Sequence, residues 1–256
     1  MSRQARRAAA ALAVAAALPA LAYVLPVPGI LKRMGERRAA LELTSLEVTG
    51  TLVAEGDAAE RLAAALGQRA GGATFSVPAR LALKVPGRCR LELVPPGAAE
   101  AARPFVSVHD GKLASGGGLG DFPAAVALAR GACTLLAVPT AGDATAAYAT
   151  ALGRRGVPLQ DASLGRFDGQ IAYVIGARAN EAKPRVFVGK NAFHPLRLVT
   201  DEGGALRDVR LLGWGSPTGG DWFPRAAEVW EGDKPKLRFT TEHAASNPKL
   251  PELLFP

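Results

Sequence analysis

The chain has 256 residues, 48% of them hydrophobic, and carries 31 Lys and Arg against 23 Asp and Glu for a formal net charge of +8. That composition supplies a sizeable core and excludes an intrinsically disordered chain. The positive surplus is spread out and does not alternate with exposed aromatics, and it drops to about +5 without the three arginines of the first seven residues, which argues against a nucleic-acid partner.

Arg3, Arg6 and Arg7 form a positive start, followed by an apolar run over 8–18 and then Pro19-Ala20-Leu21-Ala22. Small residues at Ala20 and Ala22 make the pattern that a signal peptidase reads, so residues 1–22 are expected to be a signal peptide cut after Ala22. The run falls short of the about 20 strongly apolar residues of a membrane-spanning helix. Tyr23-Val24-Leu25 prolongs it, so an uncleaved anchor is the alternative. No cysteine lies near the cut, which excludes the usual lipid-anchored form. The expected location is the periplasm, with 23–256 as a single half-barrel domain.

Pro26 and Pro28 precede a predicted helix over 29–40 with a charged face at Lys32, Arg33, Glu36 and Arg37. Strand alternation follows, with Leu46, Val48 and Leu52 on one face and Glu47, Thr49, Thr51 and Val53 on the other. An alanine-rich helix is predicted over 57–66, ended by Gly67 and the pair Gly71-Gly72. Phe75, Val77, Ala79, Leu81, Leu83 and Val85 then occupy successive odd positions. The pattern resumes after Pro86-Gly87 with Cys89, Leu91 and Leu93. Side chains alternate faces along a strand, so these runs predict a hairpin with one apolar and one wet face. A further hairpin turns at Asp110-Gly111, between 105–108 and 112–114.

Residues 122–138 and 142–153 are rich in Ala and Leu, with breakers at Pro139 and Gly142, and predict two helices. Beyond Val157 the strand pattern returns over 159–167, 170–175, 185–188, 195–200, 206–212, 223–230 and 237–243, separated by ordinary turn residues. The fold class this predicts is mainly β: roughly ten antiparallel strands in a curved sheet, an incomplete β-barrel covered by helices. The two central helices near 122–153 act as its lid segments.

The segment Lys183-Pro184-Arg185-Val186-Phe187-Val188-Gly189-Lys190 through Pro195-Leu196-Arg197-Leu198-Val199 resembles the meander of the LolA-like periplasmic outer-membrane lipoprotein carriers, the lipoprotein-sorting family. Asp221-Trp222-Phe223-Pro224-Arg225 before Glu228-Val229-Trp230 is similar to that family's "fP-r-i-e-v-y" strand, and the ending Asn247 to Phe255 is similar to its "N-p-.-l-p-.-.-l-F" close. The resemblance covers about 183–256 in detail and the order of elements before that. It implies a helix-covered half-barrel with a hydrophobic cavity for acyl chains. It also implies a lipid or lipoprotein cargo, with membrane-bound proteins that load and receive it. The same fold also serves envelope modules that recognise a partner protein, which is the alternative function. Family members place an arginine on an early strand to hold the lid closed, whereas residues 41–60 contain none. That departure counts against the lipoprotein-shuttle role in particular.

Inward faces nominate the cavity lining: Phe75, Val77, Leu81 and Leu83 on one strand, Leu91 and Leu93 on the next, then Val106, Phe187, Leu196, Leu198, Leu211 and Phe239. Ordinary core is the competing reading of each, because alternation is what any buried sheet face produces. Cys89 and Cys133 are candidates for a disulfide in an oxidising compartment, with two separately buried thiols as the alternative. His109, His194 and His243 show no metal-ligand spacing, no G-x-S-x-G elbow surrounds any serine, and Gly116-Gly117-Gly118-Leu119-Gly120 lacks dinucleotide spacing. The expectation is a monomeric binding protein, not an enzyme, with no cofactor and no metal.

Overall fold

In the computed structural model, which describes residues 24–139 and 142–255, four helices and twelve strands follow one another along the chain. They are α1 (Val27–Ala39), β1 (Ser45–Glu55), α2 (Asp57–Ala65), β2 (Thr74–Lys84), β3 (Arg88–Leu93), β4 (Phe105–His109), β5 (Lys112–Ser115), α3 (Pro123–Leu136) and α4 (Ala144–Arg154). The second half is all strand: β6 (Ala162–Phe167), β7 (Gln170–Ile175), β8 (Arg185–Gly189), β9 (Pro195–Glu202), β10 (Ala205–Leu212), β11 (Ala226–Glu231) and β12 (Lys234–Ser246). The expected signal peptide at 1–22 lies outside the described residues. Among the described residues no helix is long and apolar enough to cross a membrane.

All twelve strands form one antiparallel sheet in the order β5-β4-β3-β2-β1-β12-β11-β10-β9-β8-β7-β6. Two meanders, one from each half of the chain, therefore meet where the first strand pairs with the last. The sheet does not close, since β5 and β6 remain edges. Its curvature follows from packing. Helix α3 touches β2 to β5 on one wing and β10 to β12 on the other. Eight strands spaced about 4.8 Å apart would span roughly 34 Å if flat, far wider than one helix, so the sheet must curl around it.

The β1 alternation behaves as expected: Leu46, Val48, Leu52 and Ala54 are fully buried beneath the helices. Gly50 sits where β12 comes closest, and a Cβ there would stand 2.0 Å from the Thr240 carbonyl oxygen. No other residue type fits that position without moving a strand. The β1–β12 ladder slips by one residue at the same place, between Thr49 and Gly50.

Helix boundaries fall within a few residues of the sequence expectation. Two strand expectations are corrected in extent. The strand predicted over 159–167 begins only at Ala162, and the one over 223–230 only at Ala226, because Pro158 and Pro224 stand near their starts and cannot donate to a ladder. The final strand is longer than predicted, at 13 residues.

Candidate functional site

Ten of the twelve nominated cavity residues share one apolar body on the helix-covered face. Val77, Leu81, Leu83, Leu91, Leu93, Val106, Leu198, Leu211 and Phe239 are buried within it, and Phe75 packs against its rim half-buried. Phe187 and Leu196 do not join them. They lie on the opposite face with Ala172 and Val174, against Phe167 and Trp214. Val186 and Val188 face the helices, so Phe187 between them must face outward. For Leu196 the cause is a bulge: Val188 pairs with Pro195 and Phe187 with Arg197, which leaves Leu196 as the extra residue. A bulge breaks the two-residue period that the sequence reading relied on.

The concave face is filled. Twelve of the fourteen α3 residues are buried, and the helix lies so close to β10 that a Cβ on Gly131 would meet both Val209 methyls at 2.8 Å. Alanines at 124, 125, 127, 129 and 132 permit this approach, because a methyl side chain adds little thickness to a helix. The expected hollow beneath the helices is thus occupied by α3 itself, and none of the twelve nominated residues lines any of the five cavities described.

The apolar space lies one layer further out, between α3 and α4. A partly open cleft of about 290 Å³ is walled by Cys133, Thr134 and Ala137 from the end of α3, then Val138 and Pro139. Ala146, Ala147, Thr150, Ala151 and Arg154 of α4 form the facing wall. Its floor is made by two hairpin turns, Pro86-Gly87 and Asp110-Gly111. The sequence explains the shape. Pro139 ends one helix, and Asp143 starts the next by accepting a hydrogen bond from the Ala146 amide at 3.1 Å. Small side chains on both walls, Ala146, Ala147 and Ala151 of α4 against Cys133, Thr134 and Ala137, then leave a gap where larger ones would have met.

The two walls are held very differently. Cys133 of α3 is disulfide-bonded to Cys89 of β3, with the Cα atoms 5.7 Å apart, inside the range a bridge requires. Helix α4 buries only Tyr148 and Leu152 and rests on α1 and α3. Its anchor is a polar cluster. Tyr148 donates its hydroxyl to the Leu135 carbonyl at 3.1 Å. Arg38, buried in the last turn of α1, donates through Nε to the Leu136 carbonyl at 3.2 Å and through Nη1 to the Trp222 carbonyl at 2.8 Å. Burial pushes the Tyr148 hydroxyl up to about 12 although the nearby Arg38 charge opposes it, so it stays a donor at any physiological pH. Burial also draws the Arg38 guanidinium below its usual value.

A buried arginine of α1 thus ties the end of α3 to the loop before β11. Its signal was present in the sequence. Val27, Ile30, Leu31, Met34 and Arg38 recur at helical spacing, which puts Arg38 at the end of the buried stripe and not on the charged face. Tyr148, the lone aromatic of an alanine-rich helix, was the other readable mark.

His194 stands beside this cluster. It is mostly buried, stacks on Trp214 with ring centroids 4.5 Å apart, and holds Nε2 3.4 Å from Asp221 Oδ1. Burial lowers its pKa, as do the charges of Arg37 and Arg38, while Asp221 works in the opposite direction. A lowered folded-state value costs nothing at neutral pH, where the imidazole is uncharged in both states. As pH falls through about 6.5, the unfolded chain takes up a proton that the folded chain refuses, and stability declines until the folded value is passed. Chemical denaturation of wild type and His194→Gln across pH 7.5 to 5 is expected to show the wild type losing stability faster, by up to about 1.4 kcal/mol per pH unit. Parallel profiles would overturn this.

No protein-family model matches the chain, and no curated protein matches it. Among solved structures it is similar to a LolA superfamily protein from Nitrosomonas europaea, at 12% identity over 91% of this chain and 98% of that one, with a TM-score of 0.49. It is also similar to a putative outer membrane lipoprotein-sorting protein domain from Vibrio parahaemolyticus, at 13% identity over 88% and 95% with a TM-score of 0.43. A third likeness is to a DUF1329 family protein from Desulfovibrio piger, at 11% identity over 91% and 98% with a TM-score of 0.40.

Proposed function

We propose that the protein is a periplasmic carrier that binds the acyl chains of a lipid or lipoprotein, loaded and unloaded by membrane-bound partners. The observation that carries this reading is the apolar cleft between α3 and α4, walled by small side chains and laid over a half-barrel. The motif resemblance over 183–256 supports it, and the Cys89–Cys133 disulfide suits an oxidising compartment. The cleft of about 290 Å³ lies at the small end of ligand pockets, with room for a short run of acyl methylenes. Each is worth about 0.8 kcal/mol on leaving water. Lost freedom of chain and ligand offsets part of that sum, and moderate affinity suits a protein that must release its cargo.

A larger cargo needs the cleft to widen. In our reading α3, buried and covalently tied, is a fixed wall, and α4 is the cover that moves. The lid is thus narrower than the sequence expectation of 122–153. Purified protein is expected to co-isolate acyl-chain material, detectable by organic extraction and mass spectrometry, and to bind a fluorescent fatty acid saturably, with unlabelled fatty acid displacing it.

A second reading is an envelope module that recognises a partner protein with its interior filled. The occupation of the concave face by α3 favours it. The same displacement titration separates the two, because a filled module shows no saturable binding of the probe.

A further inference from the structure

We propose that the α3–α4 cleft is a site for a single-chain carboxylate, a free fatty acid, whose head group pairs with Arg154 and whose chain lies along Ala137, Val138 and Ala147. The inference rests on the acyl-chain reading and narrows it to one ligand class and one place, outside the concave face.

Size is the first argument. The cleft, about 290 Å³ and partly open, lies at the small end of ligand pockets, which favours one short chain over the several chains of a diacyl lipid.

Charge is the second. Among the described residues lining the cleft only Arg154 and Asp110 are charged. They face each other at 3.7 Å with about half of each side chain exposed, a contact that solvent screens. Asp110 is held in its turn by its backbone, whose amide donates to the Gly87 carbonyl at 2.8 Å. Arg154 is the last residue of α4 and the more adjustable partner. A carboxylate arriving from the apolar side can take its guanidinium in a two-pronged contact without disturbing the turn.

The surroundings favour an anion as well. Arg155 lies immediately behind Gly111, with its Cδ 3.7 Å from where a Cβ would stand, and its Nε is buried without a protein partner. Arg155 and Arg130 share the single carboxylate of Glu202. Arg130 and Arg155 thus outnumber their one carboxylate, and Arg155 adds positive charge behind the turn that floors the cleft.

The test is calorimetric titration of the full chain with decanoate, 1-decanol and hexadecanoate, on wild type, Arg154→Gln and Ala147→Phe. Decanoate is expected to bind one to one and about tenfold more tightly than decanol, the difference a charge-assisted contact makes. Arg154→Gln should bring decanoate down to the decanol level and leave decanol unchanged. Ala147→Phe, which fills the cleft from a half-exposed position, should abolish both without lowering the melting temperature. Hexadecanoate should bind no more tightly than decanoate, because the cleft ends. If decanoate binds equally to all three proteins, or hexadecanoate binds far more tightly than decanoate, the site is elsewhere and this proposal falls while the acyl-chain reading stands. If no chain binds wild type at all, both fall.

Discussion

Replacing Cys89 and Cys133 together by alanine is expected to remove about 4 kcal/mol of stability, from the loop-closure entropy of a bridge that joins residues 44 apart in sequence. For a domain of this length that corresponds to a fall of roughly 10 °C in melting temperature. The effect has a functional side, because the bridge fixes the inner wall of the cleft to β3. Without it the end of α3 is held by Arg38 and by its own burial, and acyl-chain affinity is expected to weaken along with stability. Scanning calorimetry of wild type with and without reductant, beside the double variant, tests this. Reduced wild type should melt with the variant, and well below the oxidised protein. Coincidence of all three would show that the bridge contributes nothing.

Arg38→Met is expected to cost about 2–4 kcal/mol, because a buried and a half-buried carbonyl that now accept from a charged donor are left bare. These are Leu136 in the last turn of α3 and Trp222 in the loop before β11. Losing the buried charge returns part of its desolvation cost, and so the figure stays below that of a broken buried ion pair. Arg38→Lys is not expected to rescue the loss, since a single ammonium cannot reach both carbonyls as the planar guanidinium does. Hydrogen exchange should localise the damage, with amides of the last α3 turn and of α4 exchanging faster while β1 and β12 stay protected. Uniform acceleration across the sheet would refute a local role for Arg38.

The buried apolar body was legible in part, and the candidate site was not. The apolar set from Val77 to Phe239 was readable because a half-buried strand writes its burial as a two-residue period, and ten of its twelve members do share one body. Phe187 and Leu196 were misplaced where that period gave no guide. A buried strand such as β8 is apolar on both faces, and a bulge at Leu196 is a property of the ladder and not of one strand. The cleft was not legible at all. Its walls come from four separate segments between Pro86 and Arg154, and no local pattern announces that two helices will stand apart at that place instead of touching.

Local chemistry settled a good deal about this chain by itself. It specified which stretches are strand and which helix, the turns between them, the mainly β class and the set of side chains destined for burial, because each follows from backbone preference and periodicity within a few residues. Tertiary structure alone decided that β1 pairs with β12, that α3 occupies the concave face and that Cys89 meets Cys133. Those contacts join residues far apart in the chain. Their partners are selected by the shape and volume left over once every element has formed, which no single stretch of sequence encodes.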